Sequence, residues 1–299
     1  MIQRNRTDRT HPSPASPAES PCFSSARSTP SLHGLRVREA NGGSRALYYA
    51  RSMLTLAARV RSPIATAWSL AGRRRPTRVA LRNGVTLRCR DAMDLWIVKE
   101  TCLDRDYEPE GHRVRPGDRV LDLGAGIGDF AVTAAILGGA RCVVACEPDP
   151  SSFALLCENV RANRAHGVVP LALAASPDGG PLELASDAHP VLGATRPATG
   201  RGTPVASATL GDLVARLPGG CDFMKIDVEG GEYALLLEGC DAATLAAIDR
   251  ISVEIHPAPP GRVHELVAKL EASGFAVRVA PSPVHRGQGL LFAQRRVSA

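Results

Sequence analysis

The residues with the clearest chemical potential lie in a glycine-rich turn after a short apolar run. Gly124, Gly126 and Gly128 follow the predicted strand at 118–123. Glu147 ends the next predicted strand, at 142–147. Glycines let a backbone turn sharply and approach a ligand closely. An acid at the end of the second strand is placed to accept hydrogen bonds from both hydroxyls of a ribose. The pattern therefore predicts a site for an adenosine cofactor.

The spacing of the glycines distinguishes two classes of cofactor. A dinucleotide fingerprint reads G-x-G-x-x-G, and its third glycine would fall where this chain has Asp129. The observed G-x-G-x-G favours S-adenosylmethionine, with the turn amides facing its amino-acid end and Asp122 or Asp129 holding its ammonium group. A turn that only permits close packing of helix and strand is the competing interpretation. The predicted cofactor-binding residues are Asp122, Gly124, Ala125, Gly126, Gly128, Asp129, Glu147, Pro148 and Ala175.

A second cluster of charged residues lies between 222 and 233. Lys225, Asp227 and Glu229 alternate with apolar residues, so a strand would present all three on one side. Charges on a central strand are costly without a purpose, and ligands of open α/β sheets bind beyond the carboxyl ends of the strands. The alternative is a structural ion pair of Lys225 with Asp227, with Glu229 capping the next helix. We predict catalytic roles for Lys225, Asp227, Glu229 and His256.

A site for S-adenosylmethionine makes methyl transfer the leading hypothesis, and a hydroxyl acceptor would require a base that accepts its proton. The candidates are Asp227, Glu229, Glu254 and His256. His256 follows a strand with apolar residues at 251, 253 and 255, although a lone histidine there also suits a structural hydrogen bond. A divalent metal held by Asp227 with Glu254 or His256 would acidify the hydroxyl. No ligand spacing supports such a site, and we predict no metal.

The charge of the chain is distributed unevenly. The net charge is +6, but residues 1–75 contain 13 arginines, no lysine and 3 acids, whereas the remainder is acidic. A nucleic-acid enzyme usually carries its basic patch on the catalytic domain, so nucleic acid is an unlikely partner. No apolar run approaches the roughly 18 residues of a spanning helix, which predicts no membrane association and a cytoplasmic location. The eight cysteines form no C-x-x-C pair and are expected to be reduced.

The order of the elements predicts an α/β fold with an N-terminal extension. Residues 1–43 are expected to be a disordered Ser/Pro/Arg-rich tail. Residues 44–110 form a helical cap broken at Pro63, a β-hairpin at Asn83-Gly84 and a helix at 91–103. Residues 111–299 are the S-adenosylmethionine-binding domain, with strands alternating with helices. The predicted strands are 118–123, 142–147, 168–174, 221–227, 248–255, 274–280 and 289–294. The predicted helices are 128–138, 151–163, 207–216, 231–239 and 261–273.

No helix fits between the last two predicted strands, so they should form a hairpin with one antiparallel strand. Residues 177–206 are expected to be a loop with a short strand or two. The whole pattern is that of a doubly wound, mostly parallel seven-stranded sheet.

Several of these segments resemble the FkbM-type S-adenosylmethionine-dependent methyltransferases. They are Gly117-Asp118, 121–128, 146–150, 156–160, 174–176, Thr209-Leu210, 224–232 and 253–256, and the resemblance is most specific from Lys225 to Glu232. The chain departs from the family pattern at Gly126 and Gly211.

The resemblance implies a class I methyltransferase (Rossmann-like) fold and O-methylation of a hydroxyl on a sugar, polyketide or other metabolite. A small-molecule or glycan hydroxyl acceptor is the expected partner. An RNA or protein methyltransferase and a non-catalytic cofactor-binding subunit are the alternatives.

Overall fold

The computed structural model describes most of the chain, in the segments 42–71, 77–184, 195–200, 202–282 and 287–296. The tail predicted to be disordered comprises residues 1–43, and residues 1–41 of it lie outside the described segments. Gly42 and Gly43 already belong to the first helix, which therefore starts slightly earlier than expected. No helix in the described segments is long and apolar enough to cross a bilayer.

The N-terminal extension contains two helices and a hairpin, as predicted. Helix α1 (Gly42–Arg59) and helix α2 (Pro63–Ala71) are separated just before Pro63. Proline suits the first position of a helix because its missing N–H needs no acceptor there. Strands β1 (Thr77–Ala80) and β2 (Thr86–Cys89) pair antiparallel, joined by the turn that contains Asn83 and Gly84. The extension thus has the predicted order of elements.

Helix α3 (Ala92–Val98) starts at Asp91, whose side chain accepts hydrogen bonds from the amides of Met93 and Asp94. The predicted helix at 91–103 is present, but its winding changes to a π-helix over Lys99–Asp104. Arg105, with φ of 58°, ends this segment in the left-handed region. The chain then runs through Tyr107 to the start of the sheet.

The remaining elements follow in chain order. They are β3 (Arg119–Leu123), α4 (Asp129–Ile136), β4 (Cys142–Cys146), α5 (Pro150–Ala162), β5 (Val168–Leu171), β6 (Ala174–Ser176), β7 (Leu182–Leu184), β8 (Thr195–Pro197), β9 (Thr203–Val205), β10 (Ser207–Thr209), α6 (Leu210–Val214), β11 (Phe223–Ile226), a π-helix (Ala234–Glu238), α7 (Ala242–Ala246), β12 (Arg250–Ile255), α8 (Arg262–Ala272), β13 (Phe275–Pro281) and β14 (Gly289–Arg295).

Seven strands form the main sheet, in the order β13-β14-β12-β11-β3-β4-β5. Strand β14 is antiparallel to both of its neighbours, and all other adjacent pairs are parallel. The predicted mostly parallel sheet with one antiparallel strand is confirmed. Its central strands lie between two layers of apolar side chains, because successive residues of a strand face opposite sides. Leu121 and Met224 belong to one layer, and Val120 and Phe223 to the other.

The extension packs against the sheet domain through a third apolar cluster. Val79 and Leu87 of the hairpin and Val98 of α3 are fully buried in this cluster. They are joined there by Ile127 and Val132, which follow β3. The extension therefore lies beside the glycine turn that the sequence assigns to the cofactor.

Three local predictions need correction. The strand expected at 168–174 ends at Leu171, where the amide of Leu173 bonds back to the Leu171 carbonyl, and β6 pairs separately with β10. The helix expected at 207–216 begins only at Leu210, because Thr209 is extended and its hydroxyl accepts from the Asp212 amide. The helix expected at 231–239 is a π-helix over Ala234–Glu238.

The segment 177–206 also differs from its prediction. It contains three short strands, β7, β8 and β9, which form an antiparallel sheet, rather than a loop with one or two strands. Residues 185–194 and 201 within it lie outside the described segments.

Candidate active site

An open cleft of about 820 Å³, including the part open to solvent, lies beyond the carboxyl ends of β3, β4 and β11. This is the edge at which open α/β sheets bind their ligands. The predicted site residues that line it are Gly124, Gly126, Asp129, Glu147, Pro148, Ala175, Lys225, Asp227 and Glu229. The predicted residues that do not line it are Asp122, Ala125, Gly128 and His256.

The three glycines of the turn have different tasks. A Cβ on Gly124 would lie 1.8 Å from the Asp227 carbonyl oxygen, and one on Gly128 would lie 2.5 Å from Leu156 Cδ1. A Cβ on Gly126 meets only Asp129 Oδ1, at 3.9 Å, and would otherwise enter the cleft. The first and third glycines thus permit close packing, whereas Gly126 leaves space for a ligand.

Glu147 joins the turn to the end of β4. Its Oε2 accepts a hydrogen bond of 2.7 Å from the Gly126 amide, and its Oε1 accepts one of 2.8 Å from the Asp149 amide. Burial raises the pKa of Glu147 to about 7, against the opposing effect of these two amides. Each oxygen keeps a lone pair, so the carboxylate can accept two further hydroxyls from the cleft.

The two acids proposed for the ammonium group differ in access. Asp122 is fully buried, and its Oδ1 lies 3.3 Å from Lys225 Nζ. Asp129 lines the cleft, and burial raises its pKa to about 6. Of the two, Asp129 is the residue that a ligand in the cleft can reach.

Lys225 connects the glycine turn to the charged end of β11. Its Nζ donates a hydrogen bond of 2.6 Å to the Gly124 carbonyl and lies 3.7 Å from Asp227 Oδ2. Burial alone would lower the pKa of Lys225, but the charges of Asp122 and Asp227 raise it above its ordinary value. The lysine therefore stays charged and balances the acids around it.

Tyr107 bridges two carboxyl groups from neighbouring strands. Its hydroxyl lies 2.9 Å from Asp227 Oδ2 and 2.6 Å from Glu254 Oε2. One phenolic proton serves only one of these contacts. Burial raises the pKa of Glu254 to about 8, assisted by the charge of Asp227. When Glu254 is protonated, it donates to Tyr107, which leaves the phenolic proton for Asp227.

The prediction that Glu229 shares a strand face with Lys225 and Asp227 is wrong. Strand β11 ends at Ile226, and Glu229 has φ of 51°, so the alternation stops and Val228 also lines the cleft. Glu229 does not act as a helix cap either, because its Oε2 lies 3.1 Å from His256 Nε2.

His256 is held between two carboxylates. Its Nδ1 lies 3.4 Å from Glu232 Oε1, opposite the contact of Nε2 with Glu229. Burial would lower the pKa of His256, but the neighbouring carboxylates of Glu229 and Glu232 raise it to about 11. The imidazole is therefore protonated at neutral pH and has no lone pair with which to accept a proton.

Asp227, Glu229 and His256 also lie close enough together to consider a metal. One ligand atom from each lies within 4.8 Å of the others. Metal binding requires a neutral imidazole, which the raised pKa of His256 opposes. The described residues thus bring together a possible ligand set without favouring its use.

Several residues of the site were not predicted from the sequence. Tyr107 is the most consequential, and Arg90, Asp94, Thr101 and Val228 also line the cleft. Arg90 forms a two-pronged ion pair with Asp94, four residues later, and this spacing was the only available signal. Tyr107 lies in an irregular segment without periodicity, so no pattern marked it.

A parallel sheet with a glycine turn after its first strand, an acid after the second and one antiparallel strand near its edge defines a class I methyltransferase. Residues 122–277 match the family model described as the methyltransferase FkbM domain. The chain is also 30% identical over 241 residues to the 31-O-demethyl-FK506 methyltransferase FkbM of Streptomyces tacrolimicus, covering 69% of this chain and 92% of that protein. The chain belongs to the FkbM methyltransferase family.

Two solved structures are similar to the chain. Methyltransferase FkbM from Methylobacillus flagellatus is 15% identical with a TM-score of 0.47, over 84% of this chain and 60% of that one. TYW2 of M. jannaschii, in complex with AdoMet, is 16% identical with a TM-score of 0.44, over 74% and 87%.

The protein is an S-adenosylmethionine-dependent methyltransferase, and its residues fit that cofactor. The space beside Gly126 admits a ligand against the turn, and the carboxylates of Glu147 and Asp129 line the cleft. These are the groups needed for a ribose diol and for an ammonium group.

Proposed function

We propose that this protein methylates a hydroxyl oxygen of a small metabolite or glycan, with Asp227 as the general base. The observation that carries the proposal is the carboxylate of Asp227, which lines the cleft beside the glycine turn and is fixed by Tyr107. The printed name of the relative from S. tacrolimicus, a 31-O-demethyl-FK506 methyltransferase, supports transfer to oxygen.

In this proposal the cofactor-binding residues contact different parts of S-adenosylmethionine. Glu147 accepts hydrogen bonds from the ribose hydroxyls, and Asp129 receives the ammonium group. Gly124, Gly126, Pro148 and Ala175 line the cleft where the cofactor binds. When bound, S-adenosylmethionine supplies a methyl group on a positively charged sulfur, which a hydroxyl oxygen attacks.

Asp227 accepts the proton that the acceptor hydroxyl loses as its oxygen attacks. Tyr107 donates a hydrogen bond to this carboxylate, and Lys225 Nζ lies 3.7 Å from it. Its second oxygen, Oδ1, is buried and has no hydrogen-bond partner among the described residues. Lys225 therefore positions the base rather than exchanging a proton.

Glu229 and His256 act beside the base in this proposal. The protonated His256 fixes the carboxylate of Glu229 at the edge of the cleft. Glu229 is then available to orient a second hydroxyl of the acceptor. Asp227, Glu229 and His256 therefore have three different roles, and only Asp227 acts as a base.

The test compares Asp227→Asn with the control Asp249→Asn. Asp249 is an exposed carboxylate just before the first residue of β12, at the end of the sheet away from the cleft. Methyl transfer is measured with labelled cofactor and a panel of hydroxyl compounds that includes 31-O-demethyl-FK506, and mass spectrometry and NMR locate the methyl group. We expect the wild type and control to form an O-methyl ether. Asp227→Asn should lower turnover about 100-fold or more, with cofactor affinity changed only a few-fold.

Two results would contradict the proposal. A methyl group found only on nitrogen or carbon would exclude O-methylation. Full turnover by the Asp227→Asn variant would show that Asp227 is not the general base. Loss of wild-type activity with a chelator and its recovery with magnesium would instead assign Asp227, Glu229 and His256 to a metal.

A further inference from the structure

The outer surface of α1 and α2, which we name the N-terminal helical face, exposes large apolar side chains. Leu47 and Leu54 of α1 are 71% and 72% exposed, and Ile64 and Trp68 of α2 are 85% and 83% exposed. Six of the nine large exposed apolar side chains among the described residues lie on these two helices. Such a concentration marks an interaction surface.

The exposed side chains lie opposite the surface that already packs on the domain. Leu47 and Leu54 are seven residues apart, and Ile64 and Trp68 are four apart, so each pair shares one side of its helix. Ser52 and Thr66, on the other side of each helix, are buried. The apolar residues of the face are therefore not needed for the core.

The same segment is strongly basic. Residues 42–82 contain nine arginines and no acidic residue. Arg51, Arg59, Arg61, Arg78 and Arg82 are exposed, and none of them forms an ion pair with a described carboxylate. The face thus combines exposed aliphatic groups with uncompensated positive charge.

We propose that the N-terminal helical face binds the surface of a bilayer that contains anionic phospholipids. Helices of this kind lie in the plane of the interface, with apolar side chains at the level of the acyl boundary and basic side chains among the phosphates. Leu54, Ile64 and Trp68 supply the first group and Arg51 and Arg59 the second. This binding does not span the bilayer and does not depend on the acceptor, but it departs from the sequence prediction of no membrane association.

The composition of the face favours lipid over the other possible occupants. Single-stranded RNA is bound by basic grooves with stacked aromatic rings, whereas three of the four most exposed apolar residues here are aliphatic. A second copy in a symmetric dimer would place the same arginines against one another, without an acid in the segment to offset them.

Vesicle flotation of the full chain tests the proposal. We expect binding to phosphatidylcholine vesicles that contain phosphatidylglycerol, little binding to phosphatidylcholine alone, and weakening at high salt. Arg51→Gln with Arg59→Gln should weaken binding about fivefold for each arginine. Leu54→Gln with Trp68→Gln should weaken it at least about tenfold.

The matched control is Ile136→Gln with Val169→Gln, at exposed apolar positions on α4 and β5. It should bind like the wild type, and thermal unfolding should confirm that all variants are folded. Equal binding of the control and the Leu54→Gln, Trp68→Gln variant would overturn the proposal. So would salt-sensitive binding of RNA without vesicle binding, or a dimer that the Leu54→Gln, Trp68→Gln variant abolishes and vesicles do not affect.

Discussion

At the scale of single residues, the carboxyl groups of the site differ in whether a positively charged side chain lies next to them. Lys225 forms ion pairs with Asp122 and Asp227, and His256 forms ion pairs with Glu229 and Glu232. Glu254 forms no ion pair with a lysine or arginine among the described residues, and burial raises its pKa to about 8. The hydroxyl of Tyr107 bridges Glu254 to Asp227.

Tyr107→Phe should lower turnover by about tenfold. The physical reason is that the proposed base loses a hydrogen-bond donor, which is worth about 1.5–3 kcal/mol for a charged acceptor. The measurement is kcat on the methyl acceptor, together with cofactor affinity, which should change only a few-fold.

Tyr48→Phe is the matched control for this substitution. Tyr48 also bridges a charged pair, because it accepts from Lys99 and donates to Glu100, but it does not line the cleft. Its turnover should match that of the wild type. Unchanged turnover in Tyr107→Phe would show that the hydroxyl does not act on the base.

At the scale of elements, the turn after β3 and the end of β11 are fitted to each other. Gly124 lies against the Asp227 carbonyl, and Lys225 donates to the Gly124 carbonyl. The register pairs Lys225 with Asp122 and Ile226 with Leu123. The two motifs therefore form one structure, and a change in the turn moves the residue assigned as base.

Gly124→Ala and Gly126→Ala should separate folding from binding. The first should lower the free energy of unfolding by about 3 kcal/mol or more, because its methyl overlaps a backbone oxygen and φ is positive. The second should cost only about 1 kcal/mol of stability but should weaken cofactor binding, since its methyl enters the cleft. Urea unfolding and calorimetry measure the two effects. Equal stabilities of the variants would contradict the packing role of Gly124.

At the scale of the whole molecule, the extension is a structural part of the domain. Val60, Val79 and Leu87 are buried in the cluster that also contains Ile127 and Val132. The composition of residues 1–41, by contrast, offers little apolar surface with which to offset the entropy of ordering.

Removal of residues 1–41 should change the midpoint of thermal unfolding by less than about 2 °C, which corresponds to no more than about 1 kcal/mol at this chain length. Removal of residues 1–71 should lower the midpoint much further, because it deletes Val60 and the helices that cover the hairpin. Differential scanning calorimetry compares the two shortened chains. A large effect of the shorter deletion would show that the tail stabilises the domain.

The sequence by itself determined the sheet and the position of the candidate cofactor cleft. Apolar runs of strand length, helical periods between them and the turn of glycines are local properties, since each reflects a preference of neighbouring residues. The seven strands, their one antiparallel member and the placement of Glu147 at the cleft follow from them. The family followed from the same motifs.

Only the tertiary structure decided how the charged residues are paired. Tyr107, Asp227 and Glu254 come from three separate parts of the chain, so no spacing could join them. The alternation that placed Glu229 beside Asp227 failed because β11 ends at Ile226 and the chain enters a left-handed turn. His256 changed from a possible base to a cation because Glu229 and Glu232 lie on either side of it. Proton affinity depends on burial and on charges brought together from distant residues, and folding alone supplies both.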